Sequence, residues 1–321
     1  MSFNFFEPPP PPPPTYRGPP ESSGLVFAGI AGVLSLLVTI QTRPLANKPR
    51  WLPALDTEKR EYEVWVLKYS AVWMGVFGLV VVSGIYEFFD ALGYFLLTAG
   101  LAAPLVLQPL FFRGNMGRSL STIGAQHACR AQLWIAIFGF IGNYWYTHYF
   151  YCVLRAKYTM PSWRFNDVPI AMFCATHFYF TSYHVFANLP LRYVRTAFEA
   201  GFRRTVLEVA LVLAMSYATA FMETLTISNY PYYNFENRDM AYTVGSAFYG
   251  LYFVVSFPVY FSLDEPGKVA GSWHRSAYPL RDTAASALAS GMLVLMLLDL
   301  VRLVVGMPFH MGDKLFEVTL D

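Results

Sequence analysis

The sequence predicts an all-α, polytopic transmembrane helical bundle with seven core spans and one extra N-terminal span. Three observations carry that expectation. The 321 residues are 55% hydrophobic and 18% aromatic, and only 14% are charged, far from the mix of a water-soluble domain. The apolar residues gather into eight stretches, each close to the roughly 20 residues a helix needs to cross a bilayer core. These stretches are also too long and too uniformly apolar to be the alternating strands of a closed barrel, the other structure that satisfies its backbone in lipid.

Taken in order, the expected spans are 24–41, 64–86, 91–112, 131–152, 168–189, 205–228, 241–262 and 283–305. The first, "GLVFAGIAGVLSLLVTI", precedes basic residues, so it reads either as a true span or as a targeting segment. The second and third are joined through "EFFDALG", short enough for an antiparallel hairpin. Pro161, Pro169, Pro190 and Pro231 are expected at loop edges or first helical turns, and Pro258 falls inside the seventh span, where a kink is expected. Residues 1–23 contain the run Pro8 to Pro14, a polyproline II former that cannot join a packed core. The organisation expected is therefore a tail at 1–23, an apolar segment and basic linker at 24–58, a membrane-embedded domain at 59–306 and a tail at 307–321.

Lys and Arg concentrate in alternate loops, which places one set of loops in the cytosol. That set includes Lys59, Arg60, Arg130, Arg192, Arg203 and Arg204, with both termini on the opposite side. The net charge of +2 gives no field that would recommend nucleic acid. Cys129, Cys152 and Cys174 show no CxxC spacing and read as packing thiols, with neither a disulfide framework nor a metal site.

Titratable groups at membrane depth are costly and mark candidate sites. Asp299 lies three residues before Arg302, a spacing that fits an ordinary helical ion pair as well as chemistry. Glu87 and Asp90 sit at a hairpin end, and Glu208 sits near a helix start. Glu223, in "ATAFMETLTIS", has no cation at helical spacing and is the least easily explained carboxylate. His177, Thr181, His184 and Asn188 form one helical face, which either hydrogen-bonds neighbouring helices or lines a pocket. In "GNYWYTHYF", Asn143 and Thr147 share one face, while Tyr144 and His148 share the next. Counting 1.5 Å per residue from the cytosolic ends puts His148, Glu223, Asp299 and His177 at similar depth, with His184 nearer the cytosol.

A layer of carboxylic acid and imidazole among aromatic rings suits proton transfer, because burial disfavours a charged carboxylate and aromatic faces stabilise a cation. Histidine boxes of a membrane oxygenase, an HExxH helix, a Walker loop and a dinucleotide fingerprint are all missing from the sequence. An acid–base reaction on an apolar molecule, without a cofactor or metal, is the expectation. A sterol or lipid transporter or receptor is the alternative from another class.

The segments "GNYWYTHYFYCVL", "YTMPSWRFNDVP", "THFYFTSYHVFANL", "METLTISNYPYYNFENRDMAY" and "LYFVVSFPVYFSLDE" resemble the cycloeucalenol cycloisomerases, in order, over about residues 60–306. The resemblance implies a redox-neutral isomerisation in phytosterol biosynthesis that opens the 9β,19-cyclopropane ring of cycloeucalenol to give obtusifoliol. It implies a sterol taken from the bilayer, contact with membrane lipids, and residence in the endoplasmic reticulum. On the matching segments, Glu223 is the expected acid, and His148 or His177 its orienting partner or the C8 proton acceptor. Tyr144, Trp145, Tyr149 and Trp163 are expected to line the ring system, with Thr181, His184, Asn188 and Asp299 as further pocket residues. Oligomeric state is not legible in the sequence.

Overall fold

The computed structural model describes residues 20, 22–41, 48–55, 57–111, 126–227, 230, 232–235, 238–265 and 279–306. The polyproline run and the segment 307–321 lie outside the described residues. Ten helices are described: α1 (Ser22–Thr39), α2 (Glu58–Ser83), α3 (Ala91–Phe111), α4 (His127–Ile141), α5 (Thr147–Val153), α6 (Ile170–Ala197), α7 (Phe202–Ile227), α8 (Arg238–Met240), α9 (Ser246–Ser262) and α10 (Leu280–Val305). Each of the eight expected spans is occupied by helix, so the fold is an all-α polytopic bundle.

Six of these segments are long and apolar enough to cross a membrane: α1, α2, α3, α7, the segment ending in α9, and α10. Large apolar side chains such as Leu79, Val82, Leu213 and Met296 stand on the outer surface, as lipid-facing positions do. The protein is an integral membrane protein. The other two expected spans, α4 with α5, and α6, are less uniformly apolar because they carry buried polar side chains to the interior.

Local sequence explains the helix ends. The Thr57 hydroxyl caps α2 by accepting from the Arg60 amide, a standard N-terminal arrangement. Gly84 ends α2 at φ 67°, a left-handed conformation that glycine adopts without a Cβ penalty. A 3-10 turn at Ile85–Phe88 then leads into α3, making the expected hairpin. Pro190 departs from the expectation of a loop edge: α6 runs through it to Ala197. The turns beyond it are fastened by Arg192 and Thr196, whose side chains bond elsewhere in the fold.

Helix α6 is the hub and packs against α2, α3, α4, α7 and α9, while α10 closes the bundle on α4 and α9. The amino ends of α2 and α4 lie with the carboxyl ends of α6 and α9, through bonds from Lys59 to Phe261 O and from Arg192 to Glu63. Consecutive spans therefore alternate in direction. α1 packs on α7 through Phe27 against Tyr217 and Phe221. At the opposite end, two antiparallel ribbons cover the bundle: β1 (Ala156–Tyr158) with β4 (Tyr233–Phe235), and β2 (Arg164–Phe165) with β3 (Val168–Pro169).

Candidate active site

The two ends of the bundle do different work. At one end, charges are locked together. Arg192, 2% exposed, forks onto Glu63, 0% exposed, and onto Glu265, with N to O distances of 2.8 and 2.9 Å. Lys59 bonds Glu265 at 2.9 Å and the carbonyls of Phe261 and Leu263. Asp264 accepts from His127 and Arg130. Burial opposes the Asp264 carboxylate, but the His127 hydrogen bond and the His127 and Arg130 charges outweigh it and hold the carboxyl below its usual range. Glu265 is lowered in the same way, with Arg192 and Lys59 outweighing burial. Such a network, with each of these charges paired, fixes α2, α4, α6 and α9 in register.

The opposite end holds open space. A cavity of about 480 Å³ lies between α2, α3, α6 and α7, with a floor of Tyr158, Met160, Tyr230 and Tyr233. Its size falls within the about 300–1,000 Å³ usual for small-molecule sites. The walls are apolar and aromatic, with Trp73, Phe77, Tyr179 and Tyr183 among them. Met74 and Val81 of α2 and Met222 of α7 line it and are also exposed on the outer, lipid-facing surface. An apolar molecule can therefore reach the cavity sideways between α2 and α7.

Glu223 is the carboxylic acid on this wall. It accepts a hydrogen bond from the Tyr249 hydroxyl at 2.8 Å, and none of the ion pairs described involves it. The phenols of Tyr158 and Tyr233, stacked with ring centres 4.3 Å apart, are held above the ordinary phenol range by burial. They therefore stay protonated near neutral pH. The combination is an uncompensated carboxyl, oriented by the Tyr249 hydroxyl, facing an apolar space with aromatic walls. It can donate a proton to a nonpolar molecule and can take one back.

Behind Glu223 lies a second, smaller cavity of about 50 Å³, lined by Asn143, Thr147, Thr176, Tyr249 and Tyr252. Two π-helical turns border it, Gly142–Tyr146 before α5 and Ala241–Gly245 before α9. They are built alike: the Thr147 hydroxyl reaches back five residues to the Gly142 carbonyl, and the Ser246 hydroxyl does the same to Ala241. A π turn widens the helix by a residue and recurs at functional sites. Here it turns "GNYWY" so that Asn143 and Thr147 face Glu223's small cavity while Tyr146 is buried against Gly291.

Of the residues singled out as site candidates from sequence, Glu223 lines both cavities, and the others line neither. The His148 ring bonds the Asn166 carbonyl in the β2–β3 turn, and Asn166 donates to Tyr144 O, so this pair holds the ribbon. Trp145 faces outward at 39% exposure, Trp163 packs on Phe95, and Tyr149 packs on Phe248. His177 bonds Gln132, Thr181 bonds back to the His177 carbonyl, His184 bonds Ser256, and Asn188 donates to Glu63. Of the two open readings of that stripe, the structure places it in contacts within and between helices. Asp299 pairs with Arg302 at 2.7 Å, as its spacing allowed.

The cavity is instead built by residues that the sequence reading passed over. Tyr179 and Tyr183 stack on the adjacent face of α6 with planes 10° apart. Their four-residue spacing in "FYFTSYH" was visible, but the histidine stripe beside them was the louder signal. Tyr249 and Trp73 carry no local signature, since their partners lie 26 and 109 residues away.

Fold and site together define a polytopic membrane protein with a lipid-accessible cavity and an acid on its wall. No family profile matches the sequence, and no solved structure matches it. Among characterised proteins, the cycloeucalenol cycloisomerase of Arabidopsis thaliana is 41% identical over 272 residues, which take in 83% of this chain and 94% of the relative. The chain belongs to the cycloeucalenol cycloisomerase family, and it is an isomerase.

Proposed function

We propose that the protein opens the cyclopropane ring of cycloeucalenol to give obtusifoliol, with Glu223 as the proton donor. The observation that carries this reading is the placement of Glu223: a carboxyl held by Tyr249 on the wall of an apolar cavity open toward lipid. The similarity to a relative named for this reaction supports it. The electron pair of the C9–C19 bond takes the Glu223 proton and becomes a new C19–H bond, leaving positive charge at C9. Loss of the C8 proton, which leaves Glu223 protonated again at the end of the cycle, then converts the C8–H pair into the C8=C9 double bond. Atoms and charge balance, so the reaction calls for no oxidant or reductant.

In this reading Trp73, Tyr179 and Tyr183 stabilise the cation with their ring faces, and the floor tyrosines close the site against the membrane boundary. His148, His177, Thr181, His184 and Asn188 hold the walls in place. The enzyme resides in the endoplasmic reticulum membrane and takes its sterol from the bilayer. The test is expression in membranes that lack cycloeucalenol and obtusifoliol, addition of cycloeucalenol without nucleotide, and gas chromatography with mass spectrometry to separate the two isomers. Formation of obtusifoliol is expected. Unchanged substrate in the presence of correctly folded protein contradicts the proposal.

A further inference from the structure

The small cavity behind Glu223 has a mixed polar and apolar lining where the large one is apolar. Tyr252, 2% exposed, lines it, and its hydroxyl has no protein hydrogen-bond partner among the described residues. Leaving a buried hydroxyl unsatisfied is destabilising, so such a group points to a ligand that completes it. Asn143, Thr147 and Thr176 add oxygen and nitrogen atoms to the same lining. Asn143 and Thr176 bond each other at 3.3 Å, which leaves each with capacity for a further bond. At about 50 Å³ the space suits about three to five water molecules, given the need of roughly 10–15 Å³ for each. It is too small for a sterol, and Glu223 stands on the boundary between the two cavities.

We propose that this cavity is a water site that exchanges the catalytic proton with solvent, and that Tyr252 positions the water. The proposal rests on the isomerase reading. When Glu223 gives its proton to C19 it becomes a carboxylate. The Glu223 carboxylate, at the boundary, relays the proton released from C8 to the water held by Tyr252, Thr147 and Thr176, and the water returns a proton to it. No net proton is consumed, but the proton returned is drawn from solvent and not from the previous substrate.

The test is many turnovers of cycloeucalenol in D2O by the membrane-embedded enzyme, with the deuterium at the product C19 methyl measured alongside kcat and KM. The wild-type product should carry close to one deuterium at C19. Tyr252→Phe keeps the ring against Tyr146 and Phe150 and removes only the hydroxyl. It should lower kcat about tenfold with KM unchanged, the pattern of an interaction made in the transition state, and should lower the C19 deuterium because the C8 hydrogen is recycled. Thr176→Val should act in the same direction and serves if Tyr252→Phe does not accumulate. Full deuterium content in both variants overturns the proposal, as does a wild-type product without deuterium at C19. Absence of any obtusifoliol from the wild type removes the isomerase reading itself, an outcome distinct from failure of the water site.

Discussion

Replacing Arg192 by Met removes the cation that joins three helices at the charged end of the bundle. Arg192 makes paired bonds to Glu63 and to Glu265, and donates to the Trp51 carbonyl at 2.9 Å. Its loss leaves Lys59 to serve Glu265, but leaves the fully buried Glu63 with Asn188 as its described hydrogen-bond donor. Breaking one side of a buried pair costs about 3–5 kcal/mol. At about 2–4 °C per kcal/mol for a domain of this size, the expected fall in melting temperature is about 6–20 °C. Pairing Arg192→Met with Glu63→Gln removes the stranded charge and should recover about 0.5–3 kcal/mol of that loss, since contacting residues couple by this amount. Thermal melting of the detergent-solubilised protein, followed by size-exclusion chromatography, reads both variants. An Arg192→Met protein within about 0.5 kcal/mol of the wild type, the usual range for a surface change, would refute the view that this network secures the bundle.

Other perturbations separate site from scaffold. Tyr249→Phe deletes one hydrogen bond to Glu223 worth about 0.5–1.5 kcal/mol, so the isomerisation rate should fall about 2- to 12-fold with abundance unchanged; an unaltered rate would remove Tyr249 from the site. The Asp264 carboxyl lies below its unfolded value, so its contribution to stability is full above the usual carboxylate pKa of about 3.9 and is lost as pH falls through the lower folded value. Asp264→Asn should therefore lower stability near pH 6 and flatten the loss of stability below pH 4. A melting curve that keeps the wild-type acid dependence would show that another group sets it.

Much of the fold was legible because lipid imposes a simple rule: a span must be long, apolar and helical. Each of the eight apolar stretches is helix, and α6's polar stripe faces inward as its periodicity requires. The candidate site was legible at one residue of its lining. Glu223 stood out because no cation accompanies it along its helix, and it lines the cavity. What escaped the sequence was pairing across distant helices. Lys59, Arg130 and Arg192 read as loop charges, because Glu63 and Glu265 lie far from Arg192 in the chain, yet they are buried ion-pair partners. The π turns were equally hidden, since "GNYWY" and "AYTVG" share no periodicity that separates them from ordinary helix, and the extra residue follows from tertiary packing.

The measurement that bears most directly on Glu223 as the acid is cycloeucalenol conversion by Glu223→Gln beside the wild type, in the same membranes and at matched abundance. The amide keeps the shape of the side chain and a hydrogen-bonding partner for Tyr249, but cannot deliver the proton. General acid catalysis contributes about 10²- to 10⁴-fold, so the account predicts a loss of obtusifoliol formation of at least about a hundredfold, with the melting temperature preserved. A Glu223→Gln enzyme that converts cycloeucalenol at close to the wild-type rate would contradict it.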